Sequence, residues 1–175
     1  MNHDDHVALL RGGIDRPGGV WADFGSGTGA FTLALADLIG PTGVIYSIER
    51  DRSALAQQAR SLRERFPNSI VHYRPADFTR PIELPPLDGI VMANSLHFHR
   101  SPEPIVQLLK RYLRPQGRFI IVEYNIEHGN SAVPYPVSFL QWEELAARCG
   151  FRQTRLLKTR PSRFLKEIYS AVSWL

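Results

Sequence analysis

The chain has 175 residues, enough for one domain with a full hydrophobic core and little beyond it. At 43% hydrophobic and 22% charged it has the composition of a soluble globular domain, with no apolar run long enough to cross a bilayer and no basic-then-apolar leader, so a cytoplasmic address is expected. A single cysteine, Cys149, excludes an intramolecular disulfide and any multi-thiolate metal site, while the net charge of +4 leaves an anionic partner open.

Residues 1–18 read as a short N-terminal arm and 19–175 as one domain. Val20–Phe24 is apolar and strand-like, and residues 28–39 form an apolar-rich helix stopped by Gly40-Pro41. A second strand is expected over 43–48. An amphipathic helix over 51–66 follows, with Leu55, Ala59, Leu62 and Phe66 on one stripe, ended by Pro67-Asn68. Residues 70–74 give a third strand, and a proline-rich loop over 81–86 leads into a buried-looking fourth strand, Leu87–Ala93. Ser101 is expected to cap a helix with Pro102 at its first position. Arg114-Pro-Gln-Gly117 reads as a turn before a strongly apolar fifth strand over 118–124. A loop over 125–136 precedes a last helix near 138–149, with Ser138 and Gln141 spaced as a capping box and Gly150 as its stop. Two strands, near 151–159 and 164–173, close the chain around Arg160-Pro-Ser162. Alternating strands and helices predict an α/β, Rossmann-like, doubly wound and mostly parallel sheet of seven strands. One antiparallel edge strand is expected, and helices on both faces.

The most informative run is Val20-Trp-Ala-Asp-Phe-Gly-Ser-Gly-Thr-Gly-Ala30. It is a strand carrying an acid, then glycines at 25, 27 and 29, then a helix. Glycines at alternate positions let backbone turn sharply and approach a ligand closely. The loose dinucleotide fingerprint is also met by Gly25-x-Gly27-x-x-Ala30, but Asp23 stands where a pyrophosphate would be repelled and a cationic cofactor favoured. Ligands of open α/β sheets gather at the carboxyl ends of the strands. Those ends hold Asp23, then Glu49 with Arg50 beside it, then Asp77 with Phe78, then Asn94-Ser-Leu-His97. Glu49 lies 24 residues past Gly25, close to where such folds place an acid on ribose hydroxyls. Asp77 suits an exocyclic amine, with Phe78 against a purine.

Asp23-Phe-Gly-Ser-Gly-Thr-Gly29 resembles the first motif of the class I S-adenosylmethionine-dependent methyltransferases. The resemblance continues in order through Tyr46-Ser-Ile-Glu49, Pro75-Ala-Asp77, Leu87-Asp-Gly-Ile-Val-Met-Ala-Asn94 and Leu113-Arg-Pro-Gln-Gly-Arg-Phe119. It is similar to the small-molecule branch that includes the ubiquinone/menaquinone-type enzymes. The resemblance implies that Asp23 and the turn Gly25, Ser26, Gly27 and Gly29 hold the methionine end of S-adenosylmethionine. It also implies Glu49 on the ribose, Asp77 and Phe78 at the adenine, and Asn94 on the floor of the methyl-transfer site, with S-adenosylhomocysteine as product. Asn94-Ser-Leu-His97 departs from the Asn/Asp-Pro-Pro-aromatic motif of enzymes that methylate base or glutamine amines.

Methyl transfer from a sulfonium is an in-line displacement, and a base is needed only if the acceptor must first lose a proton. His97 and Glu123 are the candidates for catalysis. His99 and His128 rank behind them, and Tyr124 is a candidate wall of the acceptor pocket. His3-Asp-Asp-His6 sits on an arm expected to be mobile, and no metal is expected. The acceptor is expected to be a small molecule recognised by the arm, the 95–102 loop, the 125–136 loop or a second subunit, so a homodimer stays open. Seven basic residues and no acid lie between Arg148 and Lys166. The ordinary reading is a solvated face; its rival is an RNA or protein methyltransferase using that face. An NAD-binding oxidoreductase and a non-catalytic cofactor-binding module stay open as well.

Overall fold

The computed structural model describes residues 1–162 and 165–175. The elements run α1 (His3–Leu10), a 3-10 turn (Arg11–Gly13), β1 (Val20–Phe24), α2 (Ala30–Ile39), β2 (Val44–Glu49), α3 (Arg52–Arg65), β3 (Ile70–Pro75) and β4 (Leu87–Ala93). Then come a second 3-10 turn (Leu96–Phe98), α4 (Glu103–Lys110), β5 (Leu113–Tyr124), α5 (Phe139–Arg148), β6 (Gln153–Pro161) and β7 (Glu167–Trp174). The expected start of the last strand at Phe164, and Arg163 of the basic run, lie outside the described residues.

The seven strands form one sheet in the order β3-β2-β1-β4-β5-β7-β6. The first five pair in parallel, and β7 runs antiparallel to both β5 and β6. The antiparallel member thus lies one place in from the edge that β6 occupies. Strand order reverses between β1 and β4, so the crevice beyond their carboxyl ends is the expected ligand site. Successive strand residues point to opposite faces. Phe24, Ile90, Met92, Phe119 and Ile121 pack with α4 and α5, while Trp21, Val91, Ile120 and Val122 pack with α1 and α2.

Three sequence expectations change. The N-terminal arm is not a mobile strand of chain. Asn2 and Asp5 close a capping box on α1, and Val7, Leu9 and Leu10 are buried. The cause is α2, which is apolar nearly all round and needs cover on its outer face. His3 hydrogen-bonds Asp37 at 3.0 Å and His6 packs on Phe31, so both histidines serve this docking. At α4, Pro102 rather than Ser101 stands at the N-cap, and no side-chain hydrogen bond closes that end. The 114–117 turn is an excursion within β5: pairing with β4 jumps from Leu87↔Leu113 to Gly89↔Arg118, with Gln116 at φ +66°. The expected capping box of α5 is present at Ser138 and Gln141, with Gly150 at φ +81° after its end. Among the described residues no helix is long and apolar enough to cross a membrane.

Candidate functional site

A cleft of about 480 Å³ opens beyond the carboxyl ends of β1, β2 and β4. Its walls carry Gly25, Gly27, Glu49, Arg50, Asp77, Phe78 and Asn94. A volume of this size suits a small-molecule cofactor. The glycine turn between β1 and α2 builds one side. Gly27 has φ +53°, and a Cβ there would meet no atom within 4 Å, so its backbone faces open space. Its N–H donates to Glu49 Oε2 at 3.0 Å, and Glu49 Oε1 accepts from Asp51 N–H at 2.9 Å. Glu49 is thereby fixed at the cleft lip with lone pairs to spare. Asp77 Oδ1 accepts from both the hydroxyl and the N–H of Thr79. Those bonds, the hydroxyl's first, hold its pKa below the usual 3.8 and keep it ionised. Phe78 packs edge-on to His99, with ring centroids 5.3 Å apart, giving the cleft an aromatic wall.

Asp23, Ser26 and Gly29, expected at the methionine end of the cofactor, are not among the residues that line this cleft. Asp23 lies within β1, paired opposite Ser47 and Val91, and is only 1% exposed. A central parallel strand is covered on both faces, so an acid on it is buried. Asp23 Oδ2 accepts from Thr32 Oγ1 at 2.6 Å, and Gln58 Nε2 donates to the same hydroxyl at 2.9 Å. Ser47 Oγ donates to Gln58 Oε1 at 2.6 Å, and Ser26 Oγ lies 2.7 Å from Ser47 Oγ. One chain of side-chain hydrogen bonds therefore runs from the buried acid to the glycine turn. Gly29, at φ +92°, makes room for that chain: a Cβ there would stand 2.3 Å from Gln58 Cγ. Burial raises the Asp23 carboxyl from 3.8 to about 7; the Thr32 hydrogen bond opposes the rise and the Glu49 charge adds to it.

A second cavity of about 550 Å³ adjoins the first, and Asn94 and Phe98 line both. Its other walls are His97, Tyr124, Asn130, Ala132, Val133 and Leu165. The 125–136 loop forms its roof, fastened to the sheet side by the Tyr135 N–H bond to His97 O at 3.0 Å. Glu123 is fully buried at the end of β5, and His97 is 3% exposed. Glu123 Oε2 lies 2.6 Å from His97 Nδ1, while Oε1 accepts from the N–H groups of Leu96 and His97 at 3.0 and 3.4 Å. One carboxylate thus holds the 3-10 turn and the imidazole together. His99, a lesser candidate for the base, belongs instead to the first cleft, and His128 lines an outer cavity with Glu127 and Lys166. Sequence reading placed Ser95 at the strand ends and named the 95–102 and 125–136 loops without singling out Phe98, Asn130, Ala132 or Val133, and it gave no role to Ala76 or Leu165. Phe98, 58% exposed at the rim of the cleft, was the clearest signal, as a large apolar residue in a polar turn.

A family model described as a methyltransferase domain matches residues 16–166. The chain belongs to the class I S-adenosylmethionine-dependent methyltransferases. A search among curated proteins finds no sequence match. Solved structures agree on the fold. A SAM-dependent methyltransferase from Aquifex aeolicus has a TM-score of 0.74 at 18% identity, over 99% of this chain and 89% of that one. The YcgJ protein of Bacillus subtilis gives 0.75 at 11% identity, over 98% of each chain. A Haemonchus contortus phosphoethanolamine N-methyltransferase, solved with phosphomonomethylethanolamine and S-adenosylhomocysteine, gives 0.77 at 16% identity, over 98% of this chain and 52% of that one. S-adenosylmethionine is therefore the cofactor of this methyltransferase, and the dinucleotide reading falls away.

The basic run of this methyltransferase is partly consumed by its own fold. Arg148 pairs with Glu103, Arg160 with Asp5, and Arg155 donates to Gly12 O while lying over Trp174. Arg152, just before the edge strand, and Lys158, on it, remain exposed. Trp21 and Trp142 are core, and Cys149 is buried with its thiol pKa raised by burial, as packing residues should be.

Proposed function

We propose that this methyltransferase passes the methyl group to a small molecule seated in the second cavity, by in-line displacement across the seam at Asn94, with His97 as the base. The observation that carries the proposal is the meeting of the two cavities at Asn94 and Phe98, with the His97–Glu123 pair on the far side.

The first cleft fits the cofactor by its own chemistry. Glu49 keeps acceptor sites for two ribose hydroxyls, ionised Asp77 suits the adenine amine, and Phe78 offers a ring face to the purine. Asn94 Oδ1 is buried with no hydrogen-bond partner, an orphan that a donor at the seam would satisfy. Gly27 leaves the methionine end room to lie against backbone. Asp23 acts from beneath, through its charge and not by contact, since a cation above the turn favours its ionised form. Arg50 stands at the lip. The bound cofactor supplies an electrophilic methyl on a sulfonium. The chain's own task is to align the acceptor, exclude water and take up a proton.

Glu123 is a positioning residue. Its carboxylate holds a proton on His97 Nδ1, which leaves Nε2 as the hydrogen-bond acceptor. No described residue partners Nε2, and His97 lines the cavity. The self-paired basic residues give no reason to prefer a polyanionic acceptor. In the test, S-adenosylhomocysteine binding is measured by calorimetry, and methyl transfer is measured with labelled S-adenosylmethionine on His97→Gln. Binding should persist while turnover falls by about 100-fold or more. A His97→Gln enzyme with full turnover on every acceptor would end this reading of the base.

A further inference from the structure

We infer that the acceptor is an uncharged aromatic ring bearing a hydroxyl, and that the methyl group is delivered to oxygen; this rests on the second cavity being the acceptor site. Among the described residues the walls of that cavity hold no Lys, Arg, Asp or Glu. A phosphate or carboxylate next to the reacting atom would find no cation among the described lining residues, and burying it unpaired would be costly. An ammonium would find no free carboxylate. Glu123 is the nearest acid, and both its oxygens are engaged, by Leu96 N–H, His97 N–H and the imidazole. Glu127 and Lys166 line the adjoining outer cavity, and Glu49, Arg50 and Asp77 line the cofactor cleft.

The described lining is uncharged by residue type apart from its histidine: the rings of His97, Phe98 and Tyr124, aliphatic side chains, and the amides of Asn94 and Asn130. Phe98 lies against His97 at 4.3 Å between ring centroids, Tyr124 stands 6.2 Å from the same imidazole, and Val133 closes the roof at 1% exposure. Aromatic walls of this kind favour a ring stacked or edge-on between them. Of the polar groups in the lining, we assign the proton-accepting role to His97 Nε2, with Nδ1 turned to Glu123. That arrangement suits an O–H that must be deprotonated before it attacks. The hydroxyl proton passes to His97 Nε2, and an oxygen lone pair forms the new O–CH3 bond. The C–S bond breaks and its electron pair stays on sulfur as a neutral thioether. The products are the methyl ether, S-adenosylhomocysteine and one proton released to solvent.

The test uses the full chain and a p-tolyl series: p-cresol, p-toluidine, p-toluate and p-tolyl phosphate, each with labelled S-adenosylmethionine, products identified by mass. Methyl transfer should fall on the oxygen of p-cresol, with the phosphate and carboxylate unreactive. The His97→Gln enzyme is then compared on p-cresol and p-nitrophenol at about pH 8, where only the nitrophenol is already ionised. The loss should be about 100-fold or more on p-cresol and under about tenfold on p-nitrophenol, because an ionised acceptor needs no base. Equal losses on the two phenols, or methyl transfer to p-toluidine or p-tolyl phosphate in preference to p-cresol, overturn the inference. So does an enzyme that binds S-adenosylhomocysteine but methylates neither phenol. Absent S-adenosylhomocysteine binding would instead refute the cofactor cleft itself, so the two failures are distinguishable.

Discussion

Replacing Asp23 by Asn tests the electrostatics beneath the glycine turn. Asp23 is buried, and its carboxyl is lifted from 3.8 to about 7, chiefly by loss of solvation. The folded state therefore binds this proton more tightly than the unfolded state does. The stabilisation tied to it is complete below pH 3.8 and is lost as the pH rises through about 7. A gap of about three pH units corresponds to about 4 kcal/mol. Asn cannot ionise, has nearly the same shape, and its amide oxygen still accepts from Thr32. Relative to wild type, Asp23→Asn should thus be near-neutral below about pH 4 and gain about 4 kcal/mol by about pH 8. Urea unfolding across that range measures the difference. Cofactor affinity should move the other way. A cation above the turn favours ionised Asp23, so wild-type affinity for S-adenosylmethionine should climb as pH rises through about 7, and the variant's should not. A stability difference that does not vary with pH, or a variant whose affinity climbs like the wild type's, would refute the reasoning.

The glycine turn separates two kinds of damage. Gly29→Ala places a Cβ 2.3 Å from Gln58 Cγ and should cost about 2–4 kcal/mol in denaturant unfolding through overpacking and backbone strain. Gly27→Ala meets nothing and should cost only about 1–2 kcal/mol for its left-handed backbone, yet weaken S-adenosylhomocysteine binding measured by calorimetry, since the new methyl stands in the cleft. Glu49→Ala removes the acceptor at the cleft lip and frees the N–H groups of Gly27 and Asp51; affinity should fall by about 10- to 100-fold by the same measurement.

Much of this layout is legible in the residues. The strand-ending acids at 49 and 77, the Asn at 94 and the glycines at 25 and 27 all reach the cleft, because parallel strands bring their carboxyl ends to one edge whatever the helices do. The burial of Asp23 is less plain, because an acid before a glycine turn reads as a lip residue. Its neighbours Trp21, Ala22 and Phe24 are all buried, the pattern of a strand covered on both faces, and that pattern placed Asp23 inside. The first helix was hidden by polar letters, although the all-round apolar α2 demanded a cover. His97 and Glu123 sit 26 positions apart, and their pairing depends on β4 and β5 lying side by side, which no local spacing encodes. The 130–133 roof has no period at all. It is held by Asn130 turning on itself to accept from the N–H groups of Ala132 and Val133.

Asn94 is where the fold carries cost without local return. It directly follows β4 at the strand-order reversal, its N–H bonds to Val122 O, and its backbone sits at φ +50°, a region that disfavours residues with a Cβ. Its side-chain oxygen is buried and unpartnered. Strain and an orphaned acceptor in the same residue, at the seam of both cavities, make Asn94 the residue to perturb. Asn94→Gly removes both costs at once, against roughly 1 kcal/mol of added chain entropy in the unfolded state. Stability should hold within about 1 kcal/mol or rise, while S-adenosylhomocysteine affinity and methyl transfer both fall. A glycine variant that is markedly less stable would mean that Asn94 holds the fold together. One that binds and turns over normally would mean that the seam does not need its amide.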